Sequence, residues 1–188
     1  MLEHYPKEIM TKDGIPVLIR PYTKEDRERL REFFSRIPED ERWFIRDDIG
    51  DPEIMDKWIQ DPDYSKTIPL IAVRHEEATI VGNVTLYMRL SECVSHVAHL
   101  RIIIDPEYRK RRLGTWMLID AIKFAMDIGL EKLVAEFVEG VDDAAMGAAA
   151  RLDFLEQDVL RGYLKDRQGR YRDLVIMVKN FHRDWSDF

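Results

Sequence analysis

Arg109-Lys110-Arg111-Arg112-Leu113-Gly114-Thr115 sets four consecutive cations ahead of a segment with helical patterning. The run follows a strand-like apolar stretch, His99 to Ile104, and the turn Asp105-Pro106. The helical segment opens near Leu113 and runs to about Ile128, ahead of Gly129, a good residue to follow a helix C-cap. A loop between a strand and a helix N-terminus suits a polyphosphate. The first-turn N–H groups lack intrahelical partners there, and the helix dipole favours an anion. Arginine adds forked, charge-assisted hydrogen bonds to phosphate oxygens. The competing reading of the same cations is a solvated basic loop or a patch that touches RNA.

Composition limits the alternatives. The chain has 188 residues, of which 45% are apolar and 35% charged, which fits one globular domain over residues 1–188 with a core at about 17–178. Its net charge is −7, so it is a poor general nucleic-acid binder and the basic run is a local feature. Cys93 is the single cysteine, which leaves no internal disulfide framework and no cysteine-rich zinc pattern, and no metal is expected. The stretch Met1-Leu2-Glu3-His4-Tyr5 does not read as a signal peptide, and no apolar run has the length to span a bilayer. A cytoplasmic protein without a membrane partner is the expectation.

Outward from the loop, patterning predicts an α/β domain with a mixed sheet. Val17–Arg20 reads as a first strand, ended by Pro21, and Thr23-Lys24-Glu25-Asp26 as a capping box. Leu30, Phe33, Phe34 and Ile37 then recur at helical spacing, and a second helix is expected over Pro52 to Ile59. Strands follow at Ile68–Arg74 and Thr79–Leu90, with Gly82 a bulge or a point of close approach, then at Val97–Ile104 and Lys132–Val138. Asp142-Asp143 can cap a helix through about Leu152, and Val159–Lys165 with Arg172–Val178 makes a hairpin across Gln168-Gly169. Trp43, Phe44 and Trp58 are read most simply as core, with the lining of a binding groove as the alternative for some of them.

Several segments in this order resemble a known family. Ile19-Arg20-Pro21 followed by Asp26, the lead-in Ile104-Asp105-Pro106-Glu107-Tyr108, the loop from Arg109 to Gly114, and Asp143-Ala144-Ala145-Met146 with Arg151-Leu152-Asp153-Phe154 together resemble GNAT-type N-acetyltransferases. The likeness is closest to bacterial protein-lysine acetyltransferase domains and covers about Val17 to Val178. It implies a mixed, mostly antiparallel sheet of six to seven strands, helices on both faces, and a splayed fourth and fifth strand. It also implies acetyl-CoA as co-substrate. The 110–115 segment (Lys110, Arg111, Arg112, Leu113, Gly114, Thr115) behind Arg109 would hold the pyrophosphate. The strand edge at Ile102, Ile103 and Ile104 would pair with the pantetheine arm, and Asp143 would stand where the family often has a pantetheine-contacting Asn. The acceptor would be a primary amine (a protein lysine, a protein N-terminus or a small amine) attacking directly in a ternary complex. A homodimer is compatible with the family.

Three positions depart from the family pattern. Arg112 occupies a glycine slot, where positive φ or close ligand approach is usual. His99, ten residues before Arg109, stands where related branches have a general-base Glu. It is the candidate base, against a reading as a packed strand histidine. Glu136 on the next strand is the rival base, against the simpler reading as a solvent-facing strand carboxylate. Ala149 stands where many members have a tyrosine acid, with Tyr108 and Tyr163 as substitutes or, more simply, packing residues. These departures keep open an alternative, a non-catalytic acyl-CoA-binding regulatory module.

Overall fold

The computed structural model describes residues 4–45, 64–89 and 91–181. Strands β1 (Lys7–Met10), β2 (Pro16–Pro21), β3 (Thr67–Arg74), β4 (Thr79–Met88), β5 (Val97–Ile104), β6 (Lys132–Val138), β7 (Leu155–Lys165) and β8 (Tyr171–Asn180) form one sheet in the order β1-β2-β3-β4-β5-β6-β8-β7. Every neighbouring pair is antiparallel except β5 and β6. The mixed, mostly antiparallel sheet is as expected, but it has eight strands rather than six to seven. The addition is β1, four residues alternating between half-buried and exposed, too short to announce itself by period.

Helices α1 (Arg27–Arg36), α2 (Glu39–Arg42), α3 (Leu113–Asp127) and α4 (Asp143–Ala150) cover the two faces. Apolar α1 residues Leu30, Phe33 and Phe34 pack with Ile71, Val73 and Ile80 on one face. Leu113, Met117 and Phe124 of α3 pack with Leu70, Val84 and Leu100 on the other. Strand β3 feeds both cores, which is why TIPLIAVR is apolar almost throughout rather than alternating. The helix expected at Pro52 to Ile59, with Trp58, lies outside the described residues, as does Leu90. Among the described residues no helix is long and apolar enough to cross a membrane.

The capping box opens a 3-10 turn, Lys24–Asp26, that leads into α1. Fully buried Asp26 accepts from the Thr23 amide at 2.8 Å and from both Arg20 terminal nitrogens at 2.6 and 2.7 Å, tying the helix to β2. At the other end of α1, Arg36 donates to Asp105 and to the Ile80 carbonyl, both at 2.6 Å. Asp105 in turn accepts from the Glu107 amide and starts the Pro106–Tyr108 turn before the basic loop. Gly82 is both of the things expected of it. The register slips beside it, and a Cβ there would sit 2.7 Å from Met117 Sδ. Its absence lets α3 close onto β4.

Strands β5 and β6 separate. Their ladder runs from Val97↔Lys132 to Leu100↔Ala135 and stops, while β6 continues beside β8 to Val138↔Leu174. The β6-facing edge of Arg101–Ile104 is therefore left without a strand partner.

Candidate active site

A cleft of about 470 Å³ opens where the two strands part. Its lining includes Lys110, Arg112, Gly114 and Thr115 from the basic loop and helix start, Ile102, Ile103 and Ile104 from the strand edge, and Glu41, Phe44, Arg101, Glu136 and Asp142. Helix amides and cations lie past the end of the open strand edge, where Glu41 pairs with Arg109, and Glu136 lies back beside the last rung of the β5–β6 ladder.

Helix α3 supplies the anion-binding geometry. Its first hydrogen bond runs from the Trp116 amide to the Arg112 carbonyl, so the amides of Leu113, Gly114 and Thr115 precede the intrahelical ladder. Leu113 itself is core, and Gly114 lies against Ile104, where a Cβ would be in ordinary contact at 3.4 Å. The four cations divide by partner. Arg109 forks onto Glu41 at 2.9 and 2.6 Å and donates through Nε to the Ile104 carbonyl, so it braces the end of β5 against α2. Its partner raises its basicity further. Arg111 turns away from the cleft to pair with Asp13, while Lys110 and Arg112 line the cleft. Asp13 and Glu41 were invisible to local reading, because they lie 98 and 68 residues from their partners.

Arg112 does take the glycine conformation, with φ of 66° and ψ of 2°, and Lys110 also has positive φ, 59°. A left-handed backbone costs an L side chain roughly 1–2 kcal/mol, part of which glycine gives back as unfolded-state entropy. Arg112→Gly should therefore stabilise the ligand-free protein by about 1 kcal/mol, raising the melting temperature by roughly 2–4 °C. Thermal denaturation measures this directly.

On the α1 side of the sheet, His99 and Arg101 of β5 share a face with Val134 and Glu136 of β6. Glu136 lines the cleft and His99 does not. His99 Nδ1 stands 3.9 Å from Glu136 Oε1, beyond hydrogen-bond length, and its Nε2 is 2.8 Å from Arg89 Nη2. A guanidinium only donates, so Nε2 accepts and the proton of a neutral His99 sits on Nδ1, towards Glu136. Arg101 donates to the Phe44 carbonyl at 2.9 Å and holds the segment after α2 over the cleft. A cation in the apolar run Leu100-Arg101-Ile102-Ile103-Ile104 was the signal that could have found it.

Asp142 stands at the N-cap of α4, its carbonyl accepting from the Met146 amide, but neither aspartate caps the helix through its side chain. Their carboxylates reach back instead, Asp142 to the Val138 amide and Asp143 to the Gly140 amide, each at 2.8 Å, and fix the turn that ends β6. Burial pushes the Asp142 carboxyl above its ordinary range, against the pull of the Val138 amide and of Arg101 and Arg109. Asp143 lines the cleft, as its proposed pantetheine contact requires. Ala149 is fully buried, so no acid stands in the tyrosine slot. Tyr108 lines the cleft, with its hydroxyl 3.3 Å from Arg74 Nη1. Tyr163 is 60% exposed and packs in no core. Trp43 corrects the core assignment as well: it is 55% exposed, and its indole N–H donates to the Lys165 carbonyl at the end of β7. Phe44 lines the cleft, and the α2 segment as a whole buries no residue.

Comparison with known proteins agrees with this geometry. A sequence profile described as the acetyltransferase (GNAT) family matches residues 21–154. The chain is 36% identical over 138 residues to an acetyltransferase of Pseudomonas aeruginosa, covering 71% of this chain and 69% of that one. Among solved structures, a GNAT-family acetyltransferase from Streptococcus pneumoniae superposes with a TM-score of 0.75 at 22% identity, covering 88% of this chain and 99% of that one. A ribosomal-protein-S5-alanine acetyltransferase from Vibrio fischeri gives 0.76 at 17% identity, covering 90% and 94%. At those identities the structures speak for the fold alone.

Proposed function

The chain belongs to the GNAT family of acetyltransferases, and on that footing we propose that it moves an acetyl group from acetyl-CoA to a primary amine bound beside Glu136. The observation that carries the reading is the parted β5–β6 pair, with cations and free helix amides in one region and a lining carboxylate, Glu136, in another. The amides of Leu113, Gly114 and Thr115 with Lys110 and Arg112 are suited to the pyrophosphate. The open edge at Ile102–Ile104 suits the pantetheine amides, and Asp143 borders the same arm. We place the protein in the cytoplasm as a single domain.

Acetyl-CoA supplies the thioester carbonyl that the amine attacks, with release of the thiol. This chain's share is positioning and proton removal. An amine attacks only when neutral, and Glu136 is the lining group placed to take its proton, directly or through water, with His99 next in line. Main-chain N–H groups near the end of the parted strand polarise the carbonyl. Glu136 favours an acceptor that arrives as a cation, whereas the Glu41 carboxylate is already forked by Arg109. The acceptor itself, protein lysine, protein N-terminus or small amine, is a matter for assay.

Thiol release measured over a panel of amines and lysine peptides tests the reading. Glu136→Gln should lower kcat on the order of 100-fold and alter the pH–rate profile, and His99→Ala should lower it less than about 10-fold. Tight CoA binding with no thiol release for any amine would instead support the non-catalytic module. An unchanged profile for both variants would remove both residues from proton transfer.

A further inference from the structure

Arg111 stands between two left-handed residues, Lys110 and Arg112. Neither is glycine, Asn or Asp, the types that reach this conformation most readily, so the loop's shape has to be held from outside. Arg111 is held at both ends. Its carbonyl accepts a hydrogen bond from the Lys12 amide at 2.9 Å, and its guanidinium pairs with Asp13 Oδ2. Both partners belong to the turn between β1 and β2, which is itself tied down. Buried Thr11 donates its hydroxyl to Asp13 Oδ1 at 2.7 Å and accepts from the Ile15 amide at 2.9 Å. Gly14, at φ +81°, donates to the Thr11 carbonyl at 3.1 Å. The grip has a second effect. The Arg111 carbonyl lies four residues before Thr115, so it is the acceptor an earlier helix start would offer the Thr115 amide. Lys12 occupies it. Arg111 does not line the cleft, whereas Lys110, Arg112 and Thr115 on either side of it do.

We propose that the β1–β2 turn is a clamp for the phosphate loop. The Lys12 main chain and the Asp13 side chain hold Arg111 outward, so that Lys110, Arg112 and the first amides of α3 face the cleft, an arrangement that a glycine at position 112 would reach unaided. Lys12 and Asp13 are positioning residues and touch no substrate. The inference rests on the reading of residues 110–115 as the CoA-pyrophosphate site.

The test is a double-mutant cycle on the full chain: wild type, Asp13→Ala, Arg112→Gly and the pair. Acetyl-CoA dissociation constants are measured by calorimetry, KM and kcat by thiol release, and melting temperatures without ligand. Asp13→Ala should weaken acetyl-CoA binding roughly three- to fivefold, the range of an exposed ion pair that orders a loop, with kcat at saturation unchanged. In the Arg112→Gly background the same substitution should change binding by less than about twofold. Asp13→Asn, which keeps an acceptor oxygen, should recover most of the loss. An equal loss in both backgrounds, or none in either, overturns the clamp. Should wild type itself bind no acetyl-CoA, the reading of the site fails separately. The ligand-free melting temperatures then decide the clamp, with non-additive shifts for positions 13 and 112 supporting it and additive shifts overturning it.

Discussion

Thr115→Asp is expected to bind acetyl-CoA at least about 30-fold more weakly than wild type while melting no lower. Both halves come from one carboxylate. Thr115 is the third residue of α3, where an acidic side chain meets the positive end of the helix dipole and stabilises the helix by about 0.3–1 kcal/mol. The same residue lines the cleft beside Lys110 and Arg112, so the new charge faces the phosphates proposed to lie there. Two like charges about 4 Å apart in a half-buried setting repel by several kcal/mol before solvent relaxation, and about 2 kcal/mol surviving gives the 30-fold loss. Thr115→Asn separates charge from shape and should lose far less. Calorimetry with acetyl-CoA and a thermal melt together decide it. Unchanged affinity in the aspartate variant would mean that the phosphates bind elsewhere.

Asp26→Ala carries the largest expected effect on stability, a loss of about 3 kcal/mol. The substitution removes the fork from Arg20 and the bond from the Thr23 amide together, and leaves the Arg20 cation without its buried partner. Arg20 keeps some access to solvent, which holds the loss at the lower end for a broken buried pair. The pH dependence has a definite sign. Burial pushes the Asp26 carboxyl up, but the Arg20 fork and the Thr23 amide outweigh it and hold the group below its ordinary 3.8. A depressed folded-state value contributes stability that is fully present above the unfolded value and lost as pH falls below it. Urea unfolding at neutral pH should therefore show the full gap between variant and wild type, and the gap should narrow as the pH is taken down through the acid range. A gap that widened on acidification would sink the assignment.

The parts legible in the sequence were those governed by local pattern. The runs Val97–Ile104 and Lys132–Val138 match β5 and β6, and Leu113 with Gly129 frames α3 to within a residue or two. Apolar runs and a left-handed glycine act over a few residues and need no tertiary context. What stayed hidden was set by distant partners. The division of the four cations into braces and cleft-facing charges depends on Glu41 and Asp13, which only the fold brings near. Trp43 reads most simply as core from its helical spacing with other aromatics, but its indole N–H found the end carbonyl of an outer strand, and that polar tip keeps the ring at the surface. His99 was located by its offset from the loop. The offset is blind to where β5 and β6 part, and the first cleft-lining polar residues past the last rung, on the face His99 shares, are Arg101 and Glu136. Asp142 took the N-cap position read for it, but the turn behind it claimed both aspartate carboxylates.

The short ladder between β5 and β6 also bears on turnover. A sheet transmits stiffness as far as its rungs run, and here two plates, β1 to β5 and β6 with β8 and β7, share a seam of four residue pairs. Helix α3 leans on the first plate, α4 on the second, and the two helices touch, which keeps the plates registered across the gap beyond the seam. A pantetheine arm lying in that gap would act as the missing rungs and join the plates. Release of the spent thiol and loosening of the sheet would then be one event. A sequence that zipped the strands further would gain rigidity at the expense of letting its product go.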